Sequence, residues 1–202
     1  MRSTAVATAV AVAVLGTVVG CAGPQPTDSA RLDAEAQEHA GPWADEFAMA
    51  LEKSESDSER EILADGVVTP TELEQAHDGV RRCLADSGLS ITYRREGGFD
   101  VGGRDGGSPG MPFEQSNAAL EACETRFDAQ VTFLFEQTRR NPARLDEATI
   151  EVECLVTAGV VEPSYGRKDW EADNETGDFP FDPMSEAAQA CDRDPLGLWY
   201  ER

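Results

Sequence analysis

Arg82-Cys83-Leu84-Ala85-Asp86-Ser87-Gly88-Leu89 and Glu153-Cys154-Leu155-Val156-Thr157-Ala158-Gly159-Val160 share one pattern: Cys-Leu-x-x-small-Gly-aliphatic. Glycine just past a last helical turn is how many helices stop, because it enters the left-handed conformation without a side-chain penalty. A second pair follows in the same order. Asn117–Cys123 and Ser185–Cys191 both end Ala-x-x-Ala-Cys, and a tyrosine (Tyr93, Tyr165) lies between the two motifs each time. Both leading helices are expected to open at proline, after Thr69-Pro70 and Asn141-Pro142. Matched features in matched order indicate a duplicated module, about 69–140 and about 141–202.

The duplication assigns the cysteines. Four cysteines allow three pairings, and only Cys83–Cys123 with Cys154–Cys191 treats the modules alike. The separations are 40 and 37 residues. Chain entropy values each such closure at about 4 kcal/mol.

Helical periodicity runs through most of the rest. Leu73, Ala76, Val80, Cys83 and Leu84 lie on one face of a helix that Thr69, Pro70 and Glu72 start as a capping box. Phe113, Leu120, Cys123, Phe127, Val131 and Leu134 form a stripe, predicting one long helix that stops before Pro142. From about Leu145 to Ala158, Leu145, Ala148, Val152 and Leu155 line one face while Ile150 and Cys154 occupy another, so that helix is expected to be central. Trp43, Phe47, Ala50 and Leu51 mark a leading helix. Strand-like stretches are confined to Leu89–Arg95 and Gly98–Val101, a hairpin ahead of the glycine-rich loop 102–110. The fold class is therefore mainly α, α+β at most: a helical domain with a short β-hairpin, built from two similar disulfide-closed modules.

The fifth cysteine belongs to the N-terminus. Thr4–Gly20 is uncharged and rich in alanine and valine, follows Arg2, and ends Val18-Val19-Gly20-Cys21. That is the pattern of a lipoprotein signal peptide, in which the Cys21 sulfur receives a diacylglyceryl group, with palmitate-type chains, and becomes the new N-terminus. Two chains suffice for stable anchoring where one would be marginal. Residues 1–20 are read as the signal peptide, 21–41 as a flexible tether and 42–202 as a single globular domain. The expected location is the extracytoplasmic face of the cell membrane.

With 17 basic and 39 acidic side chains the net charge is −22. Such a chain repels phosphates, which argues against nucleic acid and against anionic headgroups as partners of the protein part. Motifs that resemble chemistry fail on inspection. Gly106-Gly107-Ser108-Pro109-Gly110 matches a nucleophile elbow by letter, but Pro109 lacks the N–H that would hold the oxyanion, and both histidines precede the serine. Asp65–Leu73 resembles half a calcium loop, yet loop positions one and three would be Glu61 and Leu63, and leucine offers no oxygen. A helix, an Asp-Gly turn and a capped helix explain the same letters. With only His39 and His77 and no Cys-x-x-Cys, no metal or cofactor is expected. His77, beside its helix's apolar stripe, reads as a partly buried surface residue and not as a base. No catalytic residue is assigned.

The Val18–Cys21 box, the two Cys-Leu-x-x-x-Gly helix ends and the ending Phe179-Pro180-Phe181-Asp182…Cys191…Asp194-Pro195-Leu196-Gly197 resemble small uncharacterised lipoproteins of actinobacteria. The resemblance, over roughly residues 43–199, implies location and a disulfide-tied helical fold, and transfers no catalytic residue. The function expected is a non-enzymatic cell-surface binding or interaction module, with the membrane (through the lipid on Cys21) and an envelope protein or peptide as partners. The alternative is an envelope hydrolase using acidic residues, which needs an acid of raised pKa in a pocket.

Replacing the apparent nucleophile tests the rejected elbow. Ser108→Ala should leave thermal stability within about 0.5 kcal/mol, as for an exposed substitution, and a fluorophosphonate probe should not label Ser108 in the parent chain.

Overall fold

The computed structural model describes residues 33–94 and 97–199. Cys21 and its signal peptide lie outside them. The chain is mainly helical with one two-stranded antiparallel hairpin and two disulfides. Among the described residues no helix is long and apolar enough to cross a membrane.

The folded part begins earlier than the sequence suggests. Asp33 caps α1 (Ala34–Ala40), accepting from Ala36 N at 2.8 Å, so the end of the expected tether is helix. Its small residues explain both the expectation and the outcome: Ala36 and Ala40 carry little hydrophobic signal, yet both are buried against α2. A 3-10 turn at Gly41–Trp43 leads into α2 (Ala44–Lys53), which buries Phe47, Ala50 and Leu51. Next come α3 (Asp57–Leu63), capped by Ser56, and α4 (Pro70–Asp86), started by the Thr69/Glu72 capping box. These helices enclose the first core with Val131, Leu134 and Phe135.

The hairpin is β1 (Leu89–Tyr93) with β2 (Phe99–Gly103), in a register that sets Ile91 opposite Val101 and Tyr93 opposite Phe99. It covers α4 and α5 (Phe113–Phe127) around Val80, Leu84 and Leu89. Gly79 lets α4 and α5 touch: a Cβ there would lie 2.7 Å from the Phe127 ring. At the other end of the contact Cys83 is bonded to Cys123, with Cα atoms 5.7 Å apart.

The long helix expected from Phe113 to Leu134 is two helices. After α5 the chain turns at Asp128, and α6 runs Val131–Arg140. The break has a tertiary cause. Glu59, fully buried on α3, accepts from Gln130 N at 2.7 Å, and the Asp128 carboxylate accepts from Thr132 N at 2.8 Å. Phe113, placed on the stripe by its spacing, is 77% exposed because it opens α5 beyond the core.

In the second module α7 (Glu147–Thr157) is capped by Asp146, so it opens later than Asn141-Pro142. Leu145 lies ahead of that cap and is exposed, whereas Ala148, Ile150, Val152, Cys154 and Leu155 are buried, as a central helix requires. Helix α8 (Arg167–Thr176) and α9 (Glu186–Arg193) complete the module around Cys154–Cys191, whose Cα atoms are 5.6 Å apart. Both leading helices end alike, at Gly88 (φ 77°) and Gly159 (φ 69°). What fills the space between helix end and second cysteine differs: a hairpin in one module, α8 in the other.

A buried polar knot joins this module to the rest. Asn141, fully buried, accepts from Leu145 N, donates to Leu145 O and Glu147 Oε1 (2.8 Å each), and its carbonyl accepts from Trp43 Nε1 at 3.0 Å. Asn141→Ala should lower stability by about 3 kcal/mol in urea unfolding, since it orphans several buried partners at once.

Candidate functional site

The break between α5 and α6 and the α6 helix itself line two adjoining clefts of about 700 and 800 Å³. Gly97, Phe133, Glu136 and Trp199 line both, so they are two lobes of one depression. Trp199 is fixed there by Asp194, which accepts from Leu198 N and Trp199 N, and by an edge-on contact with Phe135.

The first lobe contains a histidine, a threonine and an aspartate. His77 Nε2 is 2.9 Å from Thr132 Oγ1, and Thr132 Oγ1 is 2.7 Å from Asp128 Oδ2. Thr132 has one hydroxyl proton, and the carboxylate takes it. His77 is therefore assigned the Nε2–H tautomer, donating to Thr132. Tyr93 stacks flat on the imidazole at 3.4 Å, and Arg81 lies over the other part of this stack at 5.3 Å from the Tyr93 ring. Burial first, and the Arg81 charge second, lower the His77 pKa to about 4. His77 is thus neutral at pH 7, and its 3.6 Å approach to Asp128 is no ion pair there.

The direction of this chain decides its chemistry. A nucleophilic threonine would give its proton to a histidine base. Here the proton runs from His77 to Thr132 to Asp128, and both Asp128 oxygens are engaged by Thr132. The trio ties α4 to the first turn of α6. His77 is 7% exposed, more deeply buried than its place beside the stripe suggested, because Tyr93 and Thr132 close over it.

The remaining electrostatics are those of acids short of counter-charges. Burial pushes Asp128 up to about 6 and raises Glu124 and Glu136, each also repelled by Asp128. In the second lobe Glu151 is lifted to about 7, by burial first and by Asp192 next. Three of the lining arginines are committed, Arg140 to Glu147 at 2.6 Å, Arg144 to Glu46 and Arg94 to Asp100, and Arg193 adds a further cation to the second lobe. Burial also raises Tyr93, whose hydroxyl is buried without a hydrogen-bond partner among the described residues, as is Glu46 Oε2. All three tryptophans of the chain, Trp43, Trp170 and Trp199, line the second lobe.

The residues singled out in the sequence lie elsewhere. Cys83, Cys123, Cys154 and Cys191 staple the scaffold. Ser108 is exposed beyond β2, and His39 sits at the surface with Nδ1 3.3 Å from Asp65 O. Among the described residues no group of three or more His, Cys, Asp or Glu is arranged to hold a metal ion. The chain matches no protein-family model, and no curated protein or solved structure matches it.

His77 and Asp128 oppose each other in pH dependence. Unfolded His77 binds a proton below pH 6.5 and folded His77 only near 4, so its contribution is lost as pH falls through that window. Asp128 does the reverse: its folded form binds a proton between about 6 and 3.8, which adds stability on acidification. His77→Asn should therefore lose less stability than the parent between pH 6.5 and 5, by about 2 kcal/mol at 1.4 kcal/mol per unit. Urea unfolding at both pH values measures it, and Asp128→Asn should move the other way.

Proposed function

We propose that this chain is a cell-surface lipoprotein, anchored through a diacylated Cys21 on the extracytoplasmic face of the membrane, and that it works as a non-enzymatic binding module. The supporting observation is the double cleft. A depression whose lobes share Phe133, Glu136 and Trp199 is lined by aromatic side chains and carboxylates, with no activated nucleophile in the trio that most resembles one. Concave sites with apolar walls and a few polar groups are the usual form of ligand sites. The likeness to small actinobacterial lipoproteins and the Val18–Cys21 box support the anchoring.

One observation favours the rival reading, an envelope hydrolase using acidic residues: Glu151 holds its proton up to about pH 7, as a general acid must. Its lifting neighbours Asp192 and Glu147 share the same lobe, but the other strongly raised acid, Asp128, is held by Thr132 and faces no substrate position as a free carboxylate.

Two measurements test the reading. Mass spectrometry of membrane-extracted protein should show a diacylated Cys21 terminus, and Cys21→Ala should release the protein into the medium. A photo-crosslinking residue at position 133 should give a discrete adduct in cells that Trp199→Ala abolishes, and the same residue at Glu175 should give none. Release of new reducing ends or amino groups from isolated cell wall by the purified protein would favour the hydrolase.

A further inference from the structure

Resting on that reading, we infer that the double cleft takes an extended cationic peptide segment, with lysine or arginine side chains entering the two lobes and an apolar residue between them on Phe133 and Trp199. The shape comes first. Each lobe alone exceeds what a single ion or small amine fills, and the wall they share makes one site of the two. An elongated site with repeated features suits a chain, whose side chains alternate along its length.

Charge selects the kind of chain. Glu121, Glu124 and Glu136 line the first lobe, where the one guanidinium among the described residues, Arg94, is bound to Asp100. In the second lobe Arg140 and Arg144 are spent on Glu147 and Glu46, Arg193 is the remaining cation on the wall, and Glu151 and Asp192 face each other's charge. An anionic ligand would add to this repulsion. A cation relieves it, and in a partly desolvated cleft the gain exceeds that at an open surface.

An independent observation points to a cation: Trp43, Trp170 and Trp199 converge on the second lobe. Indole is the strongest cation-binding ring among the side chains, and the chain already uses the contact internally, with Arg144 5.7 Å over Trp43. Phe133, 48% exposed on the shared wall, is the apolar surface a polyamine would leave unused.

The test titrates the full chain, in detergent, with a synthetic heptapeptide alternating lysine and phenylalanine, and follows tryptophan fluorescence. Saturable quenching is expected, weakened on the order of tenfold, or 1.4 kcal/mol, by Glu136→Gln and again by Glu151→Gln, and unchanged by Glu175→Gln. Circular dichroism of each variant confirms folding, and the conservative Glu136→Asp should restore part of the affinity. Equal binding of the same peptide with glutamate for lysine, competition by spermine as effective as by the peptide, or no saturable binding would each overturn the inference. If position 133 still crosslinks specifically in cells while the lysine peptide fails, the ligand class is wrong and the binding module stands. If neither gives a signal, both fall.

Discussion

The pair Arg140-Asn141 holds the molecule together. Among the described residues the buried apolar side chains form three clusters, and the second module keeps its own around Cys154, Leu155, Ala188 and Cys191, although its Trp199 packs onto the first. What chiefly fastens it to the rest is directional. Arg140, 9% exposed, donates to Gln137 Oε1, Glu147 Oε2 and the carbonyl of Asp192. Asn141 next to it bonds Leu145, Glu147 and Trp43. A fused apolar core would tolerate sliding, whereas hydrogen bonds of this density permit one arrangement. That arrangement places α7 and α9 opposite α2 and α6, and the second lobe is the space left between them.

The same polar seam explains why acids in the clefts are raised. Arginines positioned to bind structural carboxylates are not available to the others, so Glu136 and Glu151 are desolvated without full compensation. Removing charged groups from water costs energy unless they are paired. The protein is thus less stable than its packing alone would allow, and the deficit is concentrated along the walls of one depression.

Much of the fold was legible because its signals are local. Thr69, Pro70 and Glu72 start α4 within one turn, the alternation at 89–101 gives the hairpin, and the repeated helix ends pair the cysteines. The break between α5 and α6 was not, because Glu59 makes it from 71 residues away while the stripe runs on unchanged through Val131 and Leu134. Helix α8 buries no residue, so it carries no apolar face for periodicity to find. The site was least legible. His77 looks ordinary until Thr132, 55 residues on, and the ring of Tyr93 close over it. Nothing in the spacing of Trp43, Trp170 and Trp199 says that they meet. The one usable hint was compositional, since three tryptophans in an acidic chain otherwise poor in aromatic residues are worth locating first.

The disulfides have an implication for how the chain is made. Each joins cysteines that are consecutive among the four, closing 40 and 37 residues without enclosing the other pair. A polypeptide that emerges from its N-terminus presents Cys83 and Cys123 together before Cys154 has appeared. Among these four, an oxidant that joins thiols in order of arrival therefore makes the native pairs at once, and no wrong bridge between them has to be undone by slow thiol–disulfide exchange. Nested or crossed pairings would have required an isomerase to wait for the last cysteine. In this chain the order of synthesis and the order of bonding coincide.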